Sequence, residues 1–369
     1  MNLAWRELRR RPTRFVTATS ILTLLAILLM FLGGLLDGLL GAATGALRAQ
    51  RADVIVYSST AKSSFVRSRI TPSTRAQVEQ TPGVRAVGGL GLAQFGARVP
   101  GHGPRDLADV ALFGYELAPS GLPTTPPKIG TGWADDVLRH NGVRIGTTIE
   151  LGPKRSPVRI VGFVSDTTYS GQGSVWTSPE TWRTVLRSNR PDEQLAPGTF
   201  QALVVRSVGP AATVAHGIDA RTDGATASLT KEAAIEALPG VKEQRGVFNQ
   251  IIAVTVVIAV LVVALFFALL TVERTSLYGV LKALGARTSS LMAGVVLQAS
   301  IVTCVACIVG GALAILIDVT IPPGAIPYSL SSGRVVTSSV LLLLAALAGC
   351  TFSLRRVVRI DPASAIGSN

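Results

Sequence analysis

The sequence predicts an α-helical membrane protein with four transmembrane helices and a large α+β domain between the first and second. Three observations carry that prediction. The 369-residue chain has a mean hydropathy of +0.44 and only 15% charged residues, too apolar for an ordinary soluble protein. The excess lies in four charge-free stretches, Phe15–Leu36, Ile251–Val272, Leu291–Ile317 and Val335–Phe352. Between the first two lie about 200 residues of mixed polarity, enough for a folded domain with its own core. A bilayer core takes about 20 apolar residues at ~1.5 Å rise each, so all four stretches can cross it. A wholly soluble enzyme and a singly anchored receptor are excluded.

Charge placement sets the expected orientation. Lys and Arg number 35 against 22 Asp and Glu, a net +13. Arg6, Arg9, Arg10, Arg11 and Arg14 precede the first span; Arg274, Lys282 and Arg287 lie between spans two and three; Arg355, Arg356 and Arg359 follow span four. The loop before span four holds only Arg334. Short cytoplasmic segments collect Lys and Arg, so both termini and the middle loop are expected to be cytoplasmic. The large domain is then extracytoplasmic, on a multi-pass protein of the plasma membrane. Because the basic clusters hug helix ends, the high net charge is no signal for nucleic acid, and no nucleic-acid partner is expected.

The expected organisation follows from these boundaries: a cytoplasmic amphipathic N-terminal helix over 1–14, span one over 15–47, the extracytoplasmic domain over 48–246 and span two over 247–272. A cytoplasmic segment over 273–290, span three over 291–317, an outer loop over 318–334, span four over 335–354 and a cytoplasmic tail over 355–369 complete it. In the first segment Trp5 and Leu8 share a side among arginines, a pattern for the inner interface. The run from Phe15 exceeds the ~7–15 apolar residues of a signal peptide and reads as a retained helix. Its end is dense in glycine (Gly33, Gly34, Gly38, Gly41, Gly45), which permits close helix approach, and Asp37 reads as a headgroup-level residue. The domain carries 23 basic and 17 acidic residues between Arg48 and Gly246. Strands are predicted at Val54–Tyr57, Val87–Phe95, Val110–Tyr115, Thr147–Leu151, Val158–Val164, Ser174–Thr177 and Ala202–Val205. Helices are predicted at Ser73–Gln80, Trp133–His140, Ala212–Ile218 and Lys231–Leu238. Residues 130–180 read as a small β-rich lobe inserted in a mixed frame.

Nothing in the residues points to catalysis. There is no G-x-x-x-x-G-K-[ST], so ATP is not bound here through a P-loop. His102, His140 and His216 match no zinc spacing, and no G-x-S-x-G is present. Cys304, Cys307 and Cys350 all lie within spans, which leaves the domain without a disulfide; the C-x-x-C pair reads as small packing residues. No cofactor is expected on this chain. The informative segment is cytoplasmic: Leu277, Val280, Leu281 and Leu284 recur at i, i+3, i+4, i+7 between Glu273 and a helix-stopping Gly285. An exposed apolar helical face calls for a groove on a partner.

The order of one span, a large domain and three clustered spans resembles the FtsX-like permeases, membrane subunits of MacB-type ABC transporters. The segment Glu273–Ala286, the pair Leu297-Gln298 and the tail Arg359-Ile360-Asp361-Pro362-Ala363-Ser364-Ala365-Ile366 match that family, and the resemblance covers the whole chain. Within the family it is greatest to haem-exporting permeases and their DevC-like relatives, in Val161-Gly162-Phe163-Val164-Ser165-Asp166-Thr167-Thr168-Tyr169 and in Lys242-Glu243-Gln244. The resemblance implies the type VII ABC permease architecture: a second copy of this chain in a homodimer, and two copies of a separate ABC ATPase that hold the ATP and Mg. Motion then passes through the spans to the outer domains. Glu273, Leu277, Val280, Leu281, Leu284 and Gly285 become the ATPase-coupling residues, with membrane lipids and an outer lipoprotein or accessory protein as further candidate partners.

Haem, as exported cargo, is the leading substrate expectation. It needs an axial ligand, cations for its propionates and an apolar slot. The residues expected near the outer membrane face are Tyr57 and Glu243 as oxygen ligands, with Lys62, Arg67, Arg69 and Arg245 beside them; a headgroup-binding role fits the basic ones equally. Two alternatives stand beside export: a non-transporting permease that activates a cell-wall hydrolase, and extraction of lipid or lipoprotein.

Overall fold

A computed structural model describes residues 12–101, 103, 105–273, 288–321 and 326–358. The expected N-terminal helix, most of the coupling segment and the tail lie outside these residues, so Leu277, Val280, Leu281, Leu284 and Gly285 are not placed. The chain divides into two compact units, one built on Leu39–Gln244 and one on the apolar helices.

Helix α1 (Pro12–Arg48) enters the domain at its end, and strand β1 (Val54–Ser58) follows. Helix α2 (Pro72–Glu79) has Pro at its first position, and the Thr71 hydroxyl accepts from the Thr74 amide as its cap, the arrangement that satisfies an orphan helix donor. Six strands then follow: β2 (Val84–Arg98), β3 (Leu107–Tyr115), β4 (Thr131–Asp135), β5 (Thr148–Leu151), β6 (Ser156–Val164) and β7 (Gly173–Thr177). Helix α3 (Pro179–Asn189), β8 (Ala202–Ser207), α4 (Ala211–Arg221), β9 (Thr226–Thr230) and α5 (Lys231–Glu236) complete the domain. Helix α6 (Val241–Glu273) leads out of it.

The strands form one sheet in the order β3-β7-β4-β6-β5-β2-β8-β1-β9, and β2 also pairs with β3. That extra pairing closes β3-β7-β4-β6-β5-β2 into a ring. The 15-residue β2 belongs to both parts: Val84–Leu90 pairs with β8, and Leu90–Arg98 pairs with β3. The ring is a small barrel grown from the end of an open sheet, and it takes in β2 and β3 beyond the lobe expected over 130–180. Its register partners Gly91 and Gly114 lie under the Trp182 side chain, where a Cβ on either would sit within 2.6 Å of it.

Successive residues of a strand face opposite ways, and β1 is buried on both sides. Val54 and Val56 join the core that includes α2, α3 and α4 side chains, while Ile55 and Tyr57 join a second core with Ala46 and Leu47 of α1 and Leu238 and Val241. One expected helix is corrected. Trp133–His140 is not helical throughout: Thr131–Asp135 is a strand and Asp136–Asn141 a 3-10 turn. Trp133 is held opposite Trp176 across the β4–β7 ladder, a long-range pairing that overrides local preference.

The second unit contains four helices long and apolar enough to cross a membrane: α1 to Gly38, α6, α7 (Thr288–Thr320) and α8 (Ser332–Val358). Phe15, Leu22 and Leu29 recur every seven residues on α1 and share a core with Val263 and Phe267 of α6, Val302 and Ala306 of α7, and Leu342 and Ala346 of α8. Small residues set the crossings, as bilayer helix packing requires. A Cβ on Gly310 would lie 2.8 Å from Ala26 Cβ, and one on Gly349 would lie 2.6 Å from the Val260 carbonyl oxygen.

Candidate functional site

Of the stretch Val161–Tyr169 expected to carry the likeness to haem permeases, Val161–Val164 ends β6, and the rest belongs to a loop, Ser165–Gln172, that grips the end of α1. The Ala46 amide donates to Thr168 O at 2.9 Å, and the Ser170 and Gly171 amides donate to Ala43 O and Ala42 O at 3.0 Å. Thr168 Oγ1 donates to Gly41 O at 3.4 Å. Backbone-to-backbone contact with a helix needs the helix side chain removed, and Gly45 supplies this. A Cβ there would meet Asp166 O at 2.8 Å and Thr168 N and O at 2.9 Å. The loop turns through three left-handed residues, Asp166, Ser170 and Gly171, a conformation that L side chains adopt at some cost. It is anchored behind by Asp135, whose Oδ2 accepts from both the Thr167 amide and hydroxyl at 2.7 Å. At its start the Ser165 hydroxyl, and then Arg139, hold the Asp136 carboxyl below its ordinary pKa.

Tyr169 continues from this loop into an aromatic chain. Its ring meets Phe65 at 6.1 Å and Phe113 at 5.5 Å; Phe65 meets Tyr57 at 5.3 Å, and Phe113 stacks on Trp176 at 4.4 Å. Tyr57 is therefore an interior residue. It is fully buried, its hydroxyl is buried without a partner, and burial raises its pKa. Tyr57, expected as an oxygen ligand near the outer membrane face, is turned by the β1 alternation into the domain core, where a buried phenol resists ionising to phenolate.

The other expected substrate residues are placed as follows. Lys62 and Arg67 are exposed on the loop after β1, where Lys62 and Ser63 both adopt left-handed backbone. Arg69 is half-buried, with Nη1 donating to Val66 O and Ser68 O. Glu243 and Arg245 are exposed on the first turns of α6, which favour the Glu243 carboxylate. Tyr57 and Val241 share one buried cluster, so Tyr57 and the start of α6 are neighbours even though the phenol points inward. Glu273 ends α6 and is exposed.

Within the helical unit, sequence reasoning missed an ion pair. Arg334 grips Asp37 through Nη2 to Oδ1, and through Nε to Oδ2 at 3.0 Å. Gly33 lies under the Arg334 stem, Gly34 lies under the Tyr328 ring, and Tyr328 stacks on Phe31 at 5.4 Å. The available signal was the pairing of a single acid and a single base at the ends of two apolar runs, beside adjacent glycines. Among the described residues no group of three or more His, Cys, Asp or Glu could hold a metal ion.

Comparison with known proteins bears on the whole chain. Residues 249–362 match the family model of the FtsX-like permease C-terminal region. A Staphylococcus epidermidis protein named "Putative hemin transport system permease protein HrtB" is 22% identical over 371 residues, covering 100% of this chain and 99% of that protein. An uncharacterised ABC transporter permease of Mycobacterium tuberculosis is 27% identical over 372 residues, covering 99% of this chain and 98% of its own length. Among solved structures, the periplasmic region of MacB from Actinobacillus actinomycetemcomitans is matched at a TM-score of 0.34 and 10% identity, over 52% of this chain and 94% of that one. The extracellular domain of the transporter YknZ from Gram-positive bacteria is matched at 0.32 and 11%, over 49% and 99%. Residues 249–362 therefore carry the likeness to an FtsX-like permease C-terminal region, and the chain is similar from end to end to proteins described as ABC transporter permeases.

Proposed function

We propose that this chain is the membrane subunit of an ATP-driven exporter of an amphiphilic molecule, with haem as the leading cargo. It acts as a homodimer on two copies of a separate ATPase, with both termini cytoplasmic and the α+β domain outside. The observation that carries the reading is the end-to-end likeness to a protein named as a putative hemin transport permease, together with the net basic charge of the domain. Lys62, Arg67 and Arg245 are exposed cations that suit propionates, and Glu243 is an exposed carboxylate that suits iron. Tyr57 drops out as a ligand and becomes a core support beside the start of α6. The cytoplasmic face Leu277, Val280, Leu281 and Leu284 docks in the ATPase and receives its closure.

The test is haem titration of the purified permease–ATPase complex in nanodiscs, followed by Soret absorbance and by ATPase rate. Saturable binding with a change in ATPase rate is expected, and Glu243→Gln should weaken it while Tyr57→Phe should not. A complex that hydrolyses ATP yet gives no haem spectrum would end the haem reading and leave hydrolase activation or lipid extraction. Leu281→Asp with Leu284→Asp should release the ATPase on purification, because charges buried unpaired cost several kcal/mol.

A further inference from the structure

Residues 54–78 contain four bases, Lys62, Arg67, Arg69 and Arg75, and no acid. Two of the four are engaged within the domain. Arg75 pairs with Glu79 and Glu116, each at 2.8 Å, and Arg69 turns inward, with Nη1 donating to Val66 O at 2.6 Å and Ser68 O at 2.8 Å. Lys62 and Arg67 remain exposed, and among the described residues neither side chain has an ion pair or a hydrogen bond. Between them Phe65 is buried and Val66 is 47% exposed. The loop tip thus presents one apolar side chain flanked by two unpaired cations.

The tip is held in shape from below. The Ser58 amide donates to Ser68 Oγ at 2.9 Å and the Arg69 amide donates to Ser58 Oγ at 3.3 Å, which closes the loop at its base. The turn uses two successive left-handed residues, Lys62 at φ 48° and Ser63 at φ 58°, a conformation that glycine takes at lower cost. Phe65 anchors the loop: its ring meets Tyr169 at 6.1 Å, and the next two amides, of Ser170 and Gly171, donate to Ala43 O and Ala42 O of α1. Ala42 lies five residues past Asp37, the first charge after the apolar run, about 8 Å along the helix. The headgroup layer on each side of a hydrocarbon core is roughly 5–8 Å deep. The anchor of the loop is therefore beside α1 at headgroup depth.

We propose that the tip 62–67 docks on anionic phospholipid headgroups of the membrane that α1 enters, with Lys62 and Arg67 pairing with lipid phosphates and Val66 reaching the acyl boundary. The unpaired cations, the exposed aliphatic side chain between them and the depth of the anchor together select a lipid surface. An acidic protein surface answers the charge but not the depth. This inference concerns the resting permease and rests on neither haem nor export, so it stands or falls separately from the cargo reading.

The probe is phosphatidylglycerol carrying a diazirine beside its glycerol ester, with the matching phosphatidylcholine as control, in nanodiscs containing the full chain. Saturable labelling of residues 59–69 by the phosphatidylglycerol probe is expected, competed by unlabelled phosphatidylglycerol and weakened by high salt. Each cation near an anionic surface is worth about fivefold. Lys62→Gln with Arg67→Gln should therefore weaken the labelling about twenty-five-fold, while Lys62→Arg with Arg67→Lys keeps it. Both residues are exposed, so neither pair of changes disturbs the fold. Val66→Asp, which sets a carboxylate between the cations, should abolish the labelling. Val247 and Ile251, exposed on α6, should be labelled alike by either probe in every variant. Equal labelling of 59–69 by the two probes, or unchanged labelling in the glutamine pair, overturns the proposal. So does absence of label at 59–69 when Val247 and Ile251 are labelled, which would leave an acidic protein surface as the partner.

Discussion

Asp135 in the α+β domain and Thr271 in α6 are both buried polar residues, and they are satisfied in opposite ways. Asp135 accepts from Val137 close by and from Thr167, 32 residues away on the loop that grips α1. Thr271 donates to Phe267, one turn back on its own helix, at 2.7 Å. The domain thus spends its buried polarity on tertiary specificity, joining segments distant in the chain. Span hydroxyls such as those of Thr255, Thr271 and Ser300 are satisfied locally, and helix–helix contact is left largely to small residues such as Gly310 and Gly349. The contrast teaches where a polar substitution will be felt: severely in the domain, where partners are stranded, and weakly in a span, where the helix keeps its own backbone bonds.

The largest effect is expected at Asp135, which is 1% exposed. Asp135→Ala strands the Thr167 amide in the interior and removes the acceptor of the Val137 amide and of the Thr167 hydroxyl, which keeps the Ser174 hydroxyl; an unsatisfied buried group costs about 1–3 kcal/mol and a bond to a charged group is worth about 1.5–3. The domain transition should fall by about 3–5 kcal/mol in total, with Asp135→Asn intermediate because it keeps one acceptor. Thermal unfolding of the full-length protein followed by near-UV circular dichroism checks this, and an unchanged transition would show that the network is redundant.

High pH probes the same region through its tyrosines. Burial pushes Tyr115 and Tyr169 up to about 12 and raises Tyr57 as well. A tyrosine whose folded pKa is raised holds its proton longer in the folded state. Its stabilisation is intact below the unfolded value of about 10 and is lost as pH rises from there toward 12. Each such tyrosine should remove up to about 1.4 kcal/mol per pH unit in that window. Phenolate absorbance near pH 11 should rise together with loss of domain structure; phenolate formation with the fold intact would refute the buried assignment.

The joint between α1 and the loop 165–172 gives the next effect. Gly45→Ala places a methyl within 3 Å of three backbone atoms, an overpacking worth about 1–3 kcal/mol. Gly41→Ala is the control, since its methyl would meet only an Arg48 guanidinium nitrogen at 3.5 Å. Hydrogen exchange should quicken at Ala46, Ser170 and Gly171 in the first variant and stay slow in the second.

These residues also mark what could be read from the chain. The apolar helices are legible because absence of charge over about 20 residues has few other causes. The domain strands are legible from alternation, as in β6, where Val158, Ile160, Gly162 and Val164 alternate with residues of the other face. Sheet order is not, since pairing β2 with both β3 and β8 is a long-range choice. The place of Tyr57 on the first strand is legible, but its burial is not, because only the tertiary fold reveals that Ala46, Leu47 and Val241 cover that face. Gly41 and Gly45 signalled close approach, yet the partner is a loop 120 residues away rather than a helix. Asp37 read as a headgroup residue, and its pairing with Arg334 depends on a helix that returns almost 300 residues later.

The smallest effect sharpens the comparison most, because it applies one substitution in both regions. Thr167 is fully buried and Thr271 is 3% exposed. Thr167→Val removes a hydroxyl that donates to a carboxylate and also meets the Ser174 hydroxyl at 2.7 Å; such a bond is worth about 1.5–3 kcal/mol. Thr271→Val removes a hydroxyl whose acceptor, Phe267 O, remains the ordinary acceptor of a helical amide, so no group is orphaned. Threonine bonding back to its own helix is at best weakly stabilising, and the change should stay within about 0.5 kcal/mol of zero. Thermal melts of the two full-length variants in one detergent, read by size-exclusion chromatography, provide the measurement. A loss at Thr271 as large as that at Thr167 would mean that span hydroxyls serve tertiary packing after all, and the division between the two regions would fall.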